Sequence, residues 1–127
     1  MQEITPYSLL GGEAVLRRLV DRFYEIMDQD PTATEVRRMH PADLTESADK
    51  LFMFLSGWLG GPSLYIEKFG HPRLRARHMP FKIDDFGRDQ WMYCMRQAMA
   101  EFPIEPELQK KLDEALWNTA DFMRNHG

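Results

Sequence analysis

Apolar residues recur along this chain with a helical period. Between Glu13 and Asp28 they fall at Leu16, Leu19, Val20, Phe23, Ile26 and Met27. This is the i, i+3, i+4, i+7 spacing of an amphipathic helix. Gly11-Gly12 marks a sharp turn out of a short helix around Ser8–Leu10, and Gln29-Asp30-Pro31 ends the long one. A single helical turn is predicted around Thr34–Met39. A second long helix is predicted from near Asp43, where Asp43 and Glu46 have the spacing of a capping box. Ala48, Leu51, Phe52, Leu55, Trp58 and Leu59 form its stripe, Phe54 widens it, and Gly60-Gly61-Pro62 stops it. A third runs from Asp84 or Asp85 to about Phe102, with Phe86, Trp91, Met92, Met95, Met99 and Phe102 on one face. Cys94 and Ala98 carry its apolar character further round, which predicts a central position. Pro106 suits the first position of a last helix. That helix covers roughly Glu107–Asn125, with Leu108, Leu112, Ala115, Leu116, Thr119, Phe122 and Met123 inward.

Residues 63 to 83 break the pattern. Gly70-His71-Pro72 and Met79-Pro80 divide them into a short helical piece around Pro72–His78, flanked by irregular chain. Connections of that length inside compact domains are uncommon and often functional.

Composition supports helices over sheet. Three Val, five Ile and five Thr stand against nine Met and eight Phe, and strands favour the β-branched residues. The class is all-α. The 127 residues suit one domain, spanning 1–127, with a core large enough to need no staples. The one cysteine, Cys94, can form neither an internal disulfide nor a cysteine-rich zinc or iron–sulfur site. A net charge of −4 gives no general reason to bind nucleic acid or an anionic membrane. No basic stretch followed by an apolar run opens the chain at Met1–Pro6, so no signal peptide is expected. The longest clean apolar run, Leu51–Leu55, falls far short of the ~20 residues of a membrane helix. A soluble, cytoplasmic domain is expected.

Three groups of residues could carry chemistry. The histidines are His40, His71, His78 and His126, and no two have the spacing of a helical zinc site. A lone histidine is usually a surface or satisfied core residue. His78 stands out because it ends a short helical segment and is followed by Met79-Pro80-Phe81. Lys68, Arg73, Arg75, Arg77 and Lys82 lie within 15 residues, a local inversion of the chain's net charge. They form either a solvated face or a site for a small anion or carboxylate-bearing ligand. Tyr24, His40 and Trp91 carry polar tips on aromatic bodies in or beside apolar stretches, as core aromatics also do. The nine methionines suit an irregular core, or a pocket around something bulky.

The stretch Gly70-His71-Pro72-Arg73-Leu74-Arg75-Ala76-Arg77-His78-Met79-Pro80-Phe81, then Arg88-Asp89-Gln90-Trp91 and Cys94-Met95, resembles the group II truncated haemoglobins. So do Gly11-Gly12 with Arg22-Phe23-Tyr24, and Met53-Phe54-Leu55 leading to Gly60-Gly61-Pro62. The resemblance covers roughly residues 7 to 123. It implies a truncated globin, a two-over-two helical sandwich around one haem b. It also implies His78 as the proximal iron ligand, and Tyr24 and Trp91 as distal hydrogen-bond donors that favour oxygen over carbon monoxide. Leu51, Phe54, Leu74, Phe81, Met95 and Leu116 are candidate apolar walls. Arg77 and Lys82, with Arg75, are candidates to pair with the propionates. A metal held mainly by a cofactor needs only one protein ligand, so the scarcity of cysteine and paired histidine does not oppose it.

Three features depart from the commoner pattern of that family. His40 stands where many members have tyrosine, Ser47 at a distal position often filled by alanine or another small residue, and Pro31-Thr32-Ala33 reads as a short insertion. His40 could donate to a ligand or swing to the iron and make a six-coordinate ferric state, with the insertion loosening its segment. The function implied is binding of oxygen, nitric oxide and carbon monoxide at five-coordinate ferrous iron. Tight oxygen binding suits redox detoxification of nitric oxide or peroxide, or sensing, better than bulk oxygen transport, and a redox role implies an unidentified reductase. The alternatives are a haem-dependent peroxidase-like or dioxygenase enzyme, and a non-haem helical regulatory or binding protein.

Overall fold

The computed structural model describes residues 4–73, 76, 78–79 and 83–125. Leu74, Arg75, Arg77, Phe81, Lys82 and His126, all named above, lie outside the described residues. Among those described, every regular element is helical. The helices are α1 (Pro6–Leu10), α2 (Gly12–Gln29), α3 (Thr34–Arg38), α4 (Thr45–Trp58), α5 (Leu64–Phe69), α6 (Asp85–Ala100) and α7 (Pro106–Phe122), with a 3-10 turn at Pro31–Ala33.

The four long helices follow the expected stripes, with ends within a few residues of prediction. On α2 all six predicted inward residues are buried, and Tyr24 joins them. α6 is central, packing against α2, α3 and α7. Its Met92, Cys94, Met95, Ala98 and Met99 have essentially no accessible surface. Burial pushes the Cys94 thiol up to about 11, so it acts as a small apolar residue rather than a nucleophile.

Local chemistry explains most boundaries. Thr5 and Ser8 form a reciprocal capping box at the start of α1. Asp84 accepts from the Gly87 N–H at 3.0 Å and opens α6. Glu105 accepts from Leu108 N–H at 3.0 Å and opens α7, with Pro106 at its first turn. The backbone turns between α1 and α2 with φ of 124° at Gly11 and 79° at Gly12, a left-handed region that glycine enters without a Cβ penalty. A Cβ on Gly61 would lie 2.6 Å from the Tyr7 ring, so that glycine lets α1 close over the end of α4.

Several expectations are corrected. Asp43 and Glu46 form no capping box. Asp43 Oδ1 instead accepts from the Thr45 N–H at 2.9 Å, and α4 begins at Thr45. Residues 64–69 are helix α5 rather than irregular chain. It spans under two turns and buries only Tyr65, too little to register as a stripe. Pro72 and Arg73 are not helical. Pro72 disfavours helix at the residue before it, and Arg73 sits at φ 46° with its N–H donated to His71 Nδ1 at 3.1 Å. Helix resumes at Ala76 and His78. Phe86 and Phe122 face outward, 68% and 63% exposed, and Trp58 is 36% exposed.

Candidate functional site

Tyr24, Trp91 and His40 reach one region from three elements. Phe23, with no accessible surface, is the wedge between them. Its ring lies 4.9 Å from that of Tyr24 and 5.0 Å from that of Trp91. The His40 imidazole packs edge-on against Tyr24 at 5.8 Å. Among the described residues no hydrogen bond involves the Tyr24 hydroxyl or the Trp91 indole N–H, and no sealed side-chain oxygen or nitrogen lacks a partner, so both tips border accessible space. Tyr24 is only 8% exposed, and burial holds its phenol well above the usual tyrosine range. It therefore stays protonated and keeps its O–H as a donor.

His40 is anchored differently. Its Nδ1 lies 2.9 Å from the Val36 carbonyl. A carbonyl only accepts, so Nδ1 carries the proton in the neutral ring and Nε2 presents a lone pair. Burial lowers the His40 pKa against the raising effect of that hydrogen bond, and charge on Arg37 and His78 lowers it further. The neutral acceptor form is favoured. His40 therefore donates from Nε2 only once protonated, which narrows the expected donor role. NMR titration should place the His40 midpoint below 6.5, the ordinary value. The linked stability is fully present above that value and is lost as the pH falls through the lowered midpoint. A midpoint at or above 6.5 would remove the argument.

The segment carrying His40 is held, not loosened. Asp30 caps the 3-10 turn through Thr32 N–H at 2.9 Å and accepts from the Tyr93 hydroxyl at 2.7 Å. Gln90 Oε1, from α6, accepts from the Val36 N–H at 3.0 Å. Arg37 reaches Asp28 at 2.9 Å and donates to the carbonyls of Pro41 and Ala42 at 2.9 and 3.0 Å. Gln90 was not anticipated from the sequence. It is adjacent to Trp91, but its partner lies 54 positions away, and no local pattern reveals that pairing.

His78 sits half-buried on the helical turn preceding α6, where the Met79 N–H donates to the Ala76 carbonyl at 3.3 Å. Charge on His78 makes the smallest contribution to lowering the His40 pKa. Leu51 and Phe54 on α4 are partly buried against the core, Leu116 on α7 is buried, and Met95 has no accessible surface. Of the basic residues described, Lys68 lies over the Phe69 ring, 5.4 Å from its centroid, and Arg73 is exposed. Ser47 is half-buried on α4.

Residues 5–125 match the model of the bacterial-like globin family. The group 2 truncated hemoglobin YjbI of Bacillus subtilis is 44% identical over 94% of this chain and 88% of its own length. This chain belongs to the group II truncated haemoglobins. The group II two-on-two haemoglobin of Agrobacterium tumefaciens superposes with a TM-score of 0.96 at 41% identity, covering 100% of this chain and 98% of its own. A truncated oxygen-avid haemoglobin from Bacillus subtilis does so with 0.87 at 43% identity, covering 96% of this chain and all of its own. The all-α, two-over-two globin fold implied by the sequence resemblance is thereby shown, and with it a haem-based, oxygen-binding family. No helix among the described residues is long and apolar enough to cross a membrane.

Proposed function

We propose that this truncated haemoglobin holds haem b through His78 and binds oxygen and other diatomic gases, with Tyr24 and Trp91 as donors on the ligand side. The observation that carries the reading is the convergence of polar tips that the protein itself leaves unbonded. Tyr24 O–H and Trp91 N–H make no hydrogen bond among the described residues, and the Phe23 ring packs against both of theirs. Neither tip is sealed away from open space, so each can donate to a gas ligand that acquires negative character. Haem, when bound, supplies the iron that takes the gas.

The donor set fits this group. His78 offers one neutral imidazole, the common protein ligand to haem iron. Leu51, Phe54 and Leu116 are proposed as walls, with Met95 backing them, and Leu74 and Phe81 complete the set read from sequence. Arg75, Arg77 and Lys82 remain the proposed propionate partners. Tyr24 and Trp91 hold the ligand from two helices, so slow oxygen release follows. That supports redox detoxification or sensing over bulk delivery, and the oxygen-avid relative is in keeping with it. Cytoplasmic location and an unidentified reductase belong to the same reading.

Absorption spectra of the purified protein test it. A Soret band that shifts on reduction and again with carbon monoxide is the expected result. A colourless protein that rejects added haemin would sink it and favour the non-haem alternative. The ferric spectrum also shows whether His40 Nε2 takes the sixth position.

A further inference from the structure

We infer that Asn125 is a positioning residue for His78, tying the cofactor-binding turn to the end of the last helix. This rests on the reading of His78 as the protein's ligand to haem. Asn125 lies just beyond α7 and is half-buried. Its Nδ2 donates to the His78 carbonyl at 3.3 Å. Its Oδ1 accepts from the Ile83 N–H at 2.9 Å. Its own backbone N–H donates to the Ile83 carbonyl, also at 2.9 Å. The partners fix the amide's orientation, because a carbonyl can only accept and an N–H can only donate. One side chain therefore grips the chain at His78 and again at Ile83, just before α6.

The grip is itself anchored. The neighbouring Arg124 pairs with Asp85 at 2.8 Å, at the start of α6, and with Asp121 at 3.4 Å on α7. Arg88 on α6 reaches Asp121 at 2.6 Å and lies over the Trp117 ring, 4.4 Å from its centroid. The end of α7 is thus stitched to the beginning of α6, and Asn125 extends the stitch to His78. Holding the His78 carbonyl fixes the peptide plane from which the imidazole projects. Groups that orient a metal ligand without touching the metal influence affinity by about 10- to 100-fold. Asn125 acts on the backbone rather than the ring, which places its effect at the lower end.

Two variants separate positioning from simple end-anchoring. Asn125→Ala removes both side-chain bonds. Asn125→Asp keeps an acceptor for the Ile83 N–H but replaces the donor to the His78 carbonyl with oxygen. Both should speed haemin transfer to excess apomyoglobin by about tenfold. Both should also shift the iron–histidine stretching band of the ferrous protein in resonance Raman, while the far-ultraviolet circular dichroism of the haem-loaded Asn125→Asp protein should stay close to that of the parent. A normal band and normal haemin loss in Asn125→Asp would overturn the inference, even if Asn125→Ala is impaired, because only the Ile83 anchor would then matter. Failure of the His78 reading shows up separately, as His78→Ala retaining the parent's band.

Discussion

Replacing His78 by alanine is expected to abolish the five-coordinate ferrous spectrum and strip most haem from the purified protein. The reason is arithmetic of ligands: one imidazole is the only bond from protein to metal in this reading. Changes one step removed from a metal already cost about 10- to 100-fold in affinity, so loss of the ligand itself should exceed that. The fold should survive, because His78 is only half-buried and lies on a short turn outside the four long helices. Far-ultraviolet circular dichroism should therefore stay close to that of the parent while haem content falls. Added imidazole should restore part of the spectrum by filling the vacated position. Parent-like haem content and spectrum in His78→Ala would disprove the assignment.

Combined removal of Tyr24 O–H and Trp91 N–H is the second large effect. Tyr24→Phe and Trp91→Phe keep a ring against Phe23, whose contacts lie at 4.9 and 5.0 Å, and remove only the polar tips and part of the indole. A hydrogen bond to a group bearing charge contributes about 1.5–3 kcal/mol. Expressed wholly in dissociation, that is about ten- to a hundredfold faster oxygen release per donor. Carbon monoxide gains less negative character, so its release should change much less. The Tyr24 contribution should be flat with pH through neutrality, because burial holds its phenol well above the usual range. Any acidic pH dependence should follow His40 instead and vanish in His40→Gln. Stopped-flow oxygen displacement at two pH values checks both statements. Unchanged oxygen release in the double variant would rule out the donor arrangement.

The sequence by itself determined the helices that bury a full stripe. α2 is the clearest case, since Leu16 to Met27 repeat over many turns and every predicted contact is inward. Through the resemblance carried by the glycine pairs, the His-x-Pro-Phe segment and the downstream tryptophan, it also pointed to His78, Tyr24 and Trp91, and to His40 as a departure from the commoner tyrosine. It misread short or terminal features. α5 spans under two turns, too few for a period to show. Phe86 and Phe122 continue the stripes of α6 and α7 into their first and last turns, where the two helix ends are joined by the ion pairs of Arg88 and Arg124, and both are exposed.

Only the tertiary structure decided how the site is held. Gln90 bonds to Val36 and Asn125 to His78 across 54 and 47 positions. The Val36 carbonyl fixes which nitrogen of His40 carries the proton. The supposed looseness of Pro31–Ala33 is cancelled by Asp30, Tyr93 and Arg37. A repeating apolar period is local and can be read from one dimension. A single polar pair between distant elements has no period, and it exists only once packing has brought its two ends together.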